Sequence, residues 1–199
     1  MVIAIMAMVM AFSGPAIQAL SGAGSVNKAI GDVFGVLQNA RAYAMATHTY
    51  VRVAVGKVDS NPGTANPATV FLTILSKDGT LDVADMATWP TLGKPLVLDN
   101  FLVDDTIVGT SPDTKDDVLP SKSDISAFSR AVGGRNVSFN AGFIQFSPNG
   151  EARVTLAQPA RYIKIAMDKP GAQSGRNPFI LRLSGINGAV TVLRKGAGI

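Results

Sequence analysis

The first twelve residues, MVIAIMAMVMAF, contain no polar side chain, and this run constrains the fold more than any other part of the chain. Apolar character resumes after a Ser-Gly-Pro triplet at residues 13–15 and continues to Leu20. A membrane-spanning helix needs roughly 20 apolar residues, so the run by itself is marginal for that role. Three interpretations follow: a secretory signal peptide cleaved near residues 16–19, a short buried core helix, or a membrane helix whose upstream end precedes this sequence.

The periodicity downstream of the run favours a helix. Apolar residues recur at the three- and four-residue spacing of one helix face, and polar residues fall mostly on the other side. A signal peptide requires basic residues before its apolar run, and no basic residue precedes the run here. We therefore predict one helix that continues to about Thr47, with the apolar run as its first half. The stripe consists of Val26, Ile30, Val33, Phe34, Leu37, Ala40, Ala44 and Met45.

Two weak places interrupt this predicted helix. Pro15 removes a backbone donor and crowds the preceding turn. Residues 20–25 (LSGAGS) have poor helix propensity, since each glycine costs roughly 1 kcal/mol relative to alanine. We predict that residues 13–25 are extended or easily melted. At the other end of the helix, His48 is predicted to have a C-terminal capping role.

After His48 the spacing of apolar residues changes from the helical period of 3.6 to a period of 2, which is typical of β-strands. The polar stretch at residues 104–124 is predicted to be a long surface loop. The predicted fold class is α+β, with the long N-terminal helix packed on an antiparallel β-sheet or β-sandwich head. Residues 1–25 would be the apolar half-helix, 26–49 the amphipathic half and 50–199 the head. Strands are predicted at residues 50–55, 69–75, 81–83, twice within 94–103, and at 136–139, 142–146, 151–156, 161–166, 179–184 and 189–194.

Composition removes several classes of function. The chain has no cysteine and a single histidine, so disulfides, thiolate sites and most histidine-based centres are excluded. No base, nucleophile and oxyanion donor can be nominated together. We expect neither enzymatic activity nor a cofactor.

Charge is distributed unevenly along the chain. Residues 1–125 have a balance of −4, whereas residues 126–199 have a balance of +8. A solvated surface, head-to-tail complementarity in an assembly and a weak anion-binding face all explain this asymmetry. A calcium site at Asp113, Asp116 and Asp117 is a weaker hypothesis, because their spacing matches no EF-hand loop. The candidate DNA- or anion-binding residues are Arg153, Arg161, Lys164, Arg182, Arg194 and Lys195.

Four short segments resemble the type IV pilin superfamily, and within it the FimT and type II secretion minor pseudopilin H group. Residues 1–15 resemble the interior of the prepilin helix, where an apolar run leads to a proline. Residues 37–44 (LQNARAYA) resemble the family's helix-end signature, 146–150 (FSPNG) its Phe-x-Pro-x-Gly hairpin and 183–192 (LSGINGAVTV) its C-terminal turn and strand. These segments follow one another in the family's order across nearly the whole chain. Within the family, the pattern resembles that of the cassette protein D pilin-like proteins of Verrucomicrobia.

The chain also departs from that family's pattern. The membrane-end glutamate and the processing site of the family are not in this sequence. The glycine–arginine dipeptide of the DNA-binding relatives is replaced here by Gly188-Ala189. That replacement argues against DNA binding.

The resemblance implies a structural subunit of a type IV pilus-like or pseudopilus filament, a homo-oligomer in which apolar helices stack. Before assembly the helix would lie in the inner membrane with a periplasmic head; afterwards the subunit would belong to an extracellular filament. Other pilins and a secretion or assembly platform would be further partners, with no small-molecule substrate. The alternatives are a minor DNA-binding pilin and an anchored or secreted β-domain that does not polymerise. The residues assigned to the filament core or membrane are Met1, Val2, Ile3, Ile5, Met6, Met8, Val9, Met10, Phe12, Pro15, Ile17 and Leu20.

Overall fold

Strands dominate the chain after residue 50, as the period-2 sequence there predicts. The computed structural model describes the backbone of residues 2–58, 67–80, 86–105, 117–155, 159–170 and 178–194. It describes the side chains of these residues except for 2–23, 117 and 194. Two short 3₁₀ helices lie at Met86–Thr88 and Pro120–Lys122. The strands are β1 (Val51–Val58), β2 (Ala68–Leu75), β3 (Leu96–Asp99), β4 (Leu102–Val103), β5 (Asp117–Val118), β6 (Phe128–Val132), β7 (Arg135–Phe146), β8 (Ala152–Arg153), β9 (Tyr162–Asp168), β10 (Phe179–Ser184) and β11 (Val190–Arg194).

A single helix, α1, runs without interruption from Val2 to Thr47. The extended conformation predicted for residues 13–25 is therefore wrong, although the ease with which this segment melts stays a prediction. Pro15 removes only one backbone donor, and Ala16, Ile17, Ala19 and Leu20, which follow it, tolerate a helix. At 1.5 Å per residue the 46 residues of α1 span about 69 Å.

The strands form two sheets. The first has the order β3-β2-β1-β7-β6, with β8 pairing β7. The second has the order β11-β10-β9-β4, with β5 pairing β9. Every described strand pair is antiparallel except β5 with β9. The chain crosses from the first sheet to the second at Asn100, which turns the backbone with a φ of 62°.

The main core lies where the two sheets and α1 meet. It combines the buried stripe of α1 with inward residues of both sheets, such as Val53 and Ile144 from the first and Ile163 and Leu181 from the second. The predicted α+β class, a long helix packed on an antiparallel β-sheet or β-sandwich head, is wrong: the chain is mainly β, with two sheets. The physical reason is that most of the buried apolar side chains of the main core come from the strands of the two sheets, and α1 contributes only one stripe.

The central strands of the first sheet, β1 and β2, are buried on both of their faces. A second apolar cluster covers the face opposite the main core and includes Leu72, Trp89, Ile125 and Phe139. Consequently β1 and β2 are buried almost throughout, with no alternation of buried and exposed residues. The period-2 sequence of β1 thus separates two buried faces, and Arg52 is fully buried on the outer one.

Most predicted strands are confirmed within a few residues. The prediction for 179–184 matches β10, whereas the predictions for 136–139 and 142–146 are two parts of one strand, β7. The strand predicted at 151–156 is shorter, because only Ala152–Arg153 pairs with β7. The strand predicted at 81–83 lies outside the described residues. The structure adds β6, which the sequence analysis did not predict, and it places β5 and a 3₁₀ helix within residues 104–124, which were predicted to be a loop.

Candidate functional site

The amphipathic half of α1 is seated in the core along its whole length. Val33, Leu37, Ala40 and Ala44 have no exposed surface, and Val26 retains only 6%. Two members of the predicted stripe, Phe34 and Met45, are instead exposed, since they lie at the edge of the apolar face. Among the residues whose side chains the structure describes, no helix is long and apolar enough to cross a membrane.

A polar contact marks the point where α1 enters the head. The ammonium Nζ of Lys169 donates a hydrogen bond to the hydroxyl Oγ of Ser25 at 2.7 Å. The same ammonium lies 5.6 Å from the ring centroid of Phe101, within the range of a cation–π interaction. Val26 follows as the first buried residue that is described. The described contacts between α1 and the head therefore begin at Ser25.

At the other end of the head, α1 meets two turns. The Nε of Arg41 donates to the carbonyl oxygen of Gly150 at 3.4 Å. Gly188 packs against the same side chain: a Cβ added there would lie 2.6 Å from the Cδ of Arg41. Both glycines have positive φ, 81° and 64°. The turns at 147–150 and 185–188 are thus held against one arginine of the helix.

His48 occupies the predicted position at the C-terminus of α1. Its φ is 53°, and the amide of Thr49 donates to the carbonyl of Ala44 at 3.2 Å. This is the 6→1 hydrogen bond of a Schellman cap, with histidine in the left-handed position that glycine usually takes. The cap is made by the backbone, and the His48 side chain is exposed.

Three of the six candidate anion-binding residues share one face of the second sheet. In β9, Ile163 and Ile165 point into the core, so Tyr162 and Lys164 lie on the opposite face. Arg182 of β10 stands directly opposite Lys164. Its guanidinium lies 3.6 Å from the ring centroid of Tyr162, and that of Arg161 lies 5.7 Å away.

The remaining candidates lie elsewhere. Arg153 belongs to the first sheet, where its Nη2 forms an ion pair with Glu151 at 2.8 Å. Arg194 ends β11, and Lys195 lies outside the described residues. The structure therefore places Arg161 and Arg182 beside Tyr162, whereas Lys164 on the same face is buried at 1% exposure and Arg153 lies on the other sheet.

The calcium hypothesis falls mostly outside the part of the chain that is described. Asp113 and Asp116 lie there, and only the backbone of Asp117 is described, in β5. Among the described residues no group of three His, Cys, Asp or Glu side chains could hold a metal ion. Met1 likewise lies outside, and the other eleven residues assigned to the filament core belong to α1 through their backbone.

Sequence analysis missed one buried polar cluster on the outer face of the first sheet. The Nε of Arg52 donates to Oε1 of Gln145 at 2.7 Å, and its guanidinium lies 4.4 Å from the ring centroid of Trp89. Arg130 donates through Nη1 to the carbonyl of Trp89 at 2.8 Å. The available signal was an arginine within the run of valines at residues 51–55.

Comparisons with protein-family models, with curated proteins and with solved structures find no match to this chain. The functional argument therefore depends on the residues and contacts described above.

Proposed function

We propose that this protein is a structural subunit of a helical filament of the type IV pilus or pseudopilus kind. The observation that carries the proposal is the contrast between the two parts of α1. From Ser25 onward the helix is docked in the head, whereas the sequence before Lys28 contains no charged residue. Since apolar surface is driven out of water, we infer that this first part is buried against lipid or against other copies.

The length of α1 supports the same proposal. A compact domain of about 150 residues has a diameter on the order of 40 Å. A helix of about 69 Å is much longer than such a head. Stacking of such helices from successive copies is a head-to-tail contact, and a head-to-tail contact that does not close produces a filament.

Under this proposal the apolar half of α1 lies in the inner membrane before assembly, with the head in the periplasm. After assembly the same residues are buried between copies in an extracellular filament. Other pilins and an assembly platform are the expected partners. The helix that is docked in the head supports this proposal, whether the head is α+β or, as here, mainly β.

Electron microscopy of the full-length chain tests this proposal. Ile5→Asp and Val9→Asp place a charge in the apolar half, so filaments are expected to disappear while the circular dichroism of the head is retained. Asn27→Asp is the matched control, because Asn27 is exposed on the docked half. Filaments that survive both aspartates would refute the proposal. A monomer whose mature N-terminus lies near Leu20 would instead support a secreted β-domain.

Nucleic-acid binding is the second candidate function, favoured by the neighbouring guanidinium groups of Arg161 and Arg182; Lys164 beside them is buried. Such binding should be salt-sensitive, because the cations displace counterions from phosphate. Arg161→Ala with Arg182→Ala should weaken retention on duplex DNA, and Arg194→Ala with Lys195→Ala tests the strand end. Arg135→Ala is the control, since Arg135 is exposed on the other sheet. Retention that is unchanged by salt and by these variants would exclude this candidate.

A further inference from the structure

Two strands at the edges of the sheets expose apolar side chains. Among the described strands, β3 pairs only β2 and β11 pairs only β10. Val97 on β3 is 43% exposed and Val192 on β11 is 36% exposed, and no other large apolar side chain on the described strands is exposed to this extent. By contrast, the edge strand β6 exposes Ser129 and Ala131. Because unpaired backbone groups at a sheet edge are a template for pairing, β3 and β11 are candidate surfaces for another strand.

The direction of β3 along the helix follows from contacts at its two ends. Lys94, just before β3, lines a cleft together with Tyr43 of α1. The ring of Phe101, just after β3, lies 5.6 Å from the ammonium of Lys169, which donates a hydrogen bond to Ser25 of α1. β3 therefore runs from the Tyr43 end of the docked helix to its Ser25 end.

The strand β11 runs in the same direction. It follows Gly188, which packs against Arg41 near the end of α1. It ends at Arg194, whose register partner on β10 is Phe179. The ring centroids of Phe179 and Phe101 are 6.1 Å apart, so β11 ends at the same end of the head as β3. Both strands are therefore antiparallel to α1.

The two strands lie on different sides of α1, which contacts both of them. Val36 and Tyr43 line the cleft beside the start of β3, and β11 follows the turn that packs on Arg41. At 3.6 residues per turn, Arg41 is about 140–160° around the helix axis from both cleft residues. Copies whose helices point the same way can thus bring β3 of one head beside β11 of the next.

We propose that β3 of one copy pairs with β11 of the next copy as parallel strands, which joins the first sheet of one head to the second sheet of its neighbour. A register that sets Val97 beside Val192 places the two exposed valines on one face of the joined sheet. The same register sets Asp99, the last residue of β3, beside Arg194, the last residue of β11. Two different surfaces meet in this contact, so it is heterologous and adds copies without closing.

The charges near the two strands agree with this pairing. Asp99 is exposed and forms no ion pair among the described residues. The neighbourhood of β11 is basic, since Arg182 of β10 is the register partner of Thr191. Lys169, a cation near the end of β3, is held by its hydrogen bond to Ser25. A second copy of β11 would add further basic residues at this edge, whereas β3 brings an acidic one.

The size of this contact determines what it can do. A pair of strands of four or five residues buries far less than the roughly 800 Å² per partner of a stable interface. The pairing therefore acts where another contact has already aligned two copies. In this respect the inference rests on the proposed filament, in which stacked helices bring the heads side by side.

Cysteine cross-linking tests the pairing directly, because the chain has no cysteine of its own. Neighbouring strands lie about 4.7–4.9 Å apart, within the Cα separation that a disulfide requires. The full-length double variant Val97→Cys, Val192→Cys is oxidised with copper phenanthroline and run on a non-reducing gel. A ladder of dimers, trimers and higher multimers is expected, and the absence of a ladder would overturn the pairing.

Two kinds of control distinguish this pairing from other contacts. The double variant Val97→Cys, Ile186→Cys should give no ladder, since Ile186 is 71% exposed but lies outside β11. Each single variant, Val97→Cys or Val192→Cys, should remain monomeric on the gel. A dimer from a single variant would show that identical edges pair. Equal ladders from the two double variants would show random collision, and either result overturns the proposal.

Electron microscopy of the same samples separates this inference from the proposed function. Filaments with a ladder support both, and filaments without a ladder overturn the pairing alone. A ladder without filaments supports the pairing and refutes the filament. Samples with neither a ladder nor filaments refute both.

Charge reversal tests the register of the two strands. Asp99→Arg should raise the concentration needed for filament assembly about two- to fivefold, since it places two cations side by side. Arg194→Asp should have a similar effect, and the two substitutions together should restore part of the assembly. Arg135→Asp is the matched control and should leave assembly unchanged, because Arg135 is exposed on β7, which borders neither β3 nor β11. No restoration in the double variant would overturn the parallel register.

Discussion

The side chain of Arg41 fixes the backbone of Gly150, with Nε donating to the carbonyl oxygen at 3.4 Å across 109 residues of sequence. Gly188 lies against the same arginine. This junction joins three separate segments, at residues 37–44, 146–150 and 183–192, which are three of the four segments that resemble pilins. Their contact in space is a property of the fold that none of the three short motifs contains.

Gly188→Ala is expected to destabilise the head more than Gly93→Ala. Both glycines have positive φ, 64° and 71°, so both variants carry backbone strain of about 1–2 kcal/mol. At Gly188 the added Cβ would also lie 2.6 Å from Arg41 and 2.7 Å from the Gly150 carbonyl, whereas at Gly93 nothing lies within 4 Å. Urea unfolding of both variants measures the difference. Equal losses of unfolding free energy in the two variants would show that Arg41 and the Gly150 carbonyl move away from the added Cβ without a measurable loss of stability.

Local patterns identified most strands, yet they could not assign them to sheets. The signals around Asn100 predict two short strands and a turn, but β3 pairs in the first sheet and β4 in the second. Sheet membership depends on tertiary contacts that no window of sequence contains. The missed strand β6 did have a signal: Gly133 and Gly134 both have positive φ and join β6 to β7 as a two-residue turn.

The residues of the candidate site also fall into two groups, those that the local sequence predicts and those that depend on tertiary contacts. The position of His48 and the buried stripe of α1 followed from helix periodicity, because a 3.6-residue repeat places side chains on one face. The grouping of Arg161, Lys164 and Arg182 depends on the register between β9 and β10, and the burial of Arg52 depends on a second core. Neither register nor a second core is encoded in local spacing.

Leu37→Ala is expected to reduce the free energy of unfolding by about 2–5 kcal/mol, since it opens a cavity in the main core. Leu37 has no exposed surface. Phe34→Ala on the same helix is the matched control: Phe34 is 39% exposed, so the expected loss is smaller, at about 1 kcal/mol or less. Chemical denaturation measures both values. A similar loss for the two variants would mean that the helix is not seated as described.

Acidification is expected to weaken the turn at residues 76–80 through Asp78. Its carboxylate accepts hydrogen bonds from the hydroxyl and the amide of Thr80 at 2.7 and 3.1 Å, and these hold the pKa of Asp78 below its ordinary value of 3.8. A lowered pKa gives stability that is present above 3.8 and is lost as the pH falls through the folded-state value. An NMR titration of Asp78 should show this lowered pKa.

Substitutions near this turn test whether the hydrogen bonds from Thr80 lower the pKa of Asp78. Thr80→Val removes the hydroxyl donor, so the pKa of Asp78 should rise towards 3.8. Asp99→Asn is the control, because Asp99 is exposed on β3 and should leave the titration of Asp78 unchanged. A pKa of Asp78 that is insensitive to Thr80→Val would contradict the assignment.

Arg52→Ala is expected to cost about 2–4 kcal/mol of unfolding free energy, because it removes both a buried hydrogen bond and a cation–π contact. The loss leaves Oε1 of Gln145 without its donor at 2.7 Å and uncovers the ring of Trp89. Trp89 is the single tryptophan of the chain and is 3% exposed, so its fluorescence reports on this site. Its emission should move to longer wavelength, and acrylamide should quench it more strongly.

Arg135→Ala supplies the comparison for this site, since Arg135 is exposed at the start of β7. It should change the unfolding free energy by less than about 0.5 kcal/mol and leave the Trp89 emission where it is. Arg52→Lys distinguishes charge from geometry: an ammonium keeps the cation over the ring but lacks the planar fork that reaches Gln145. We expect an intermediate stability. If Arg52→Lys equals wild type, the hydrogen bond to Gln145 contributes nothing to stability, and the contribution of Arg52 comes from the cation over the Trp89 ring.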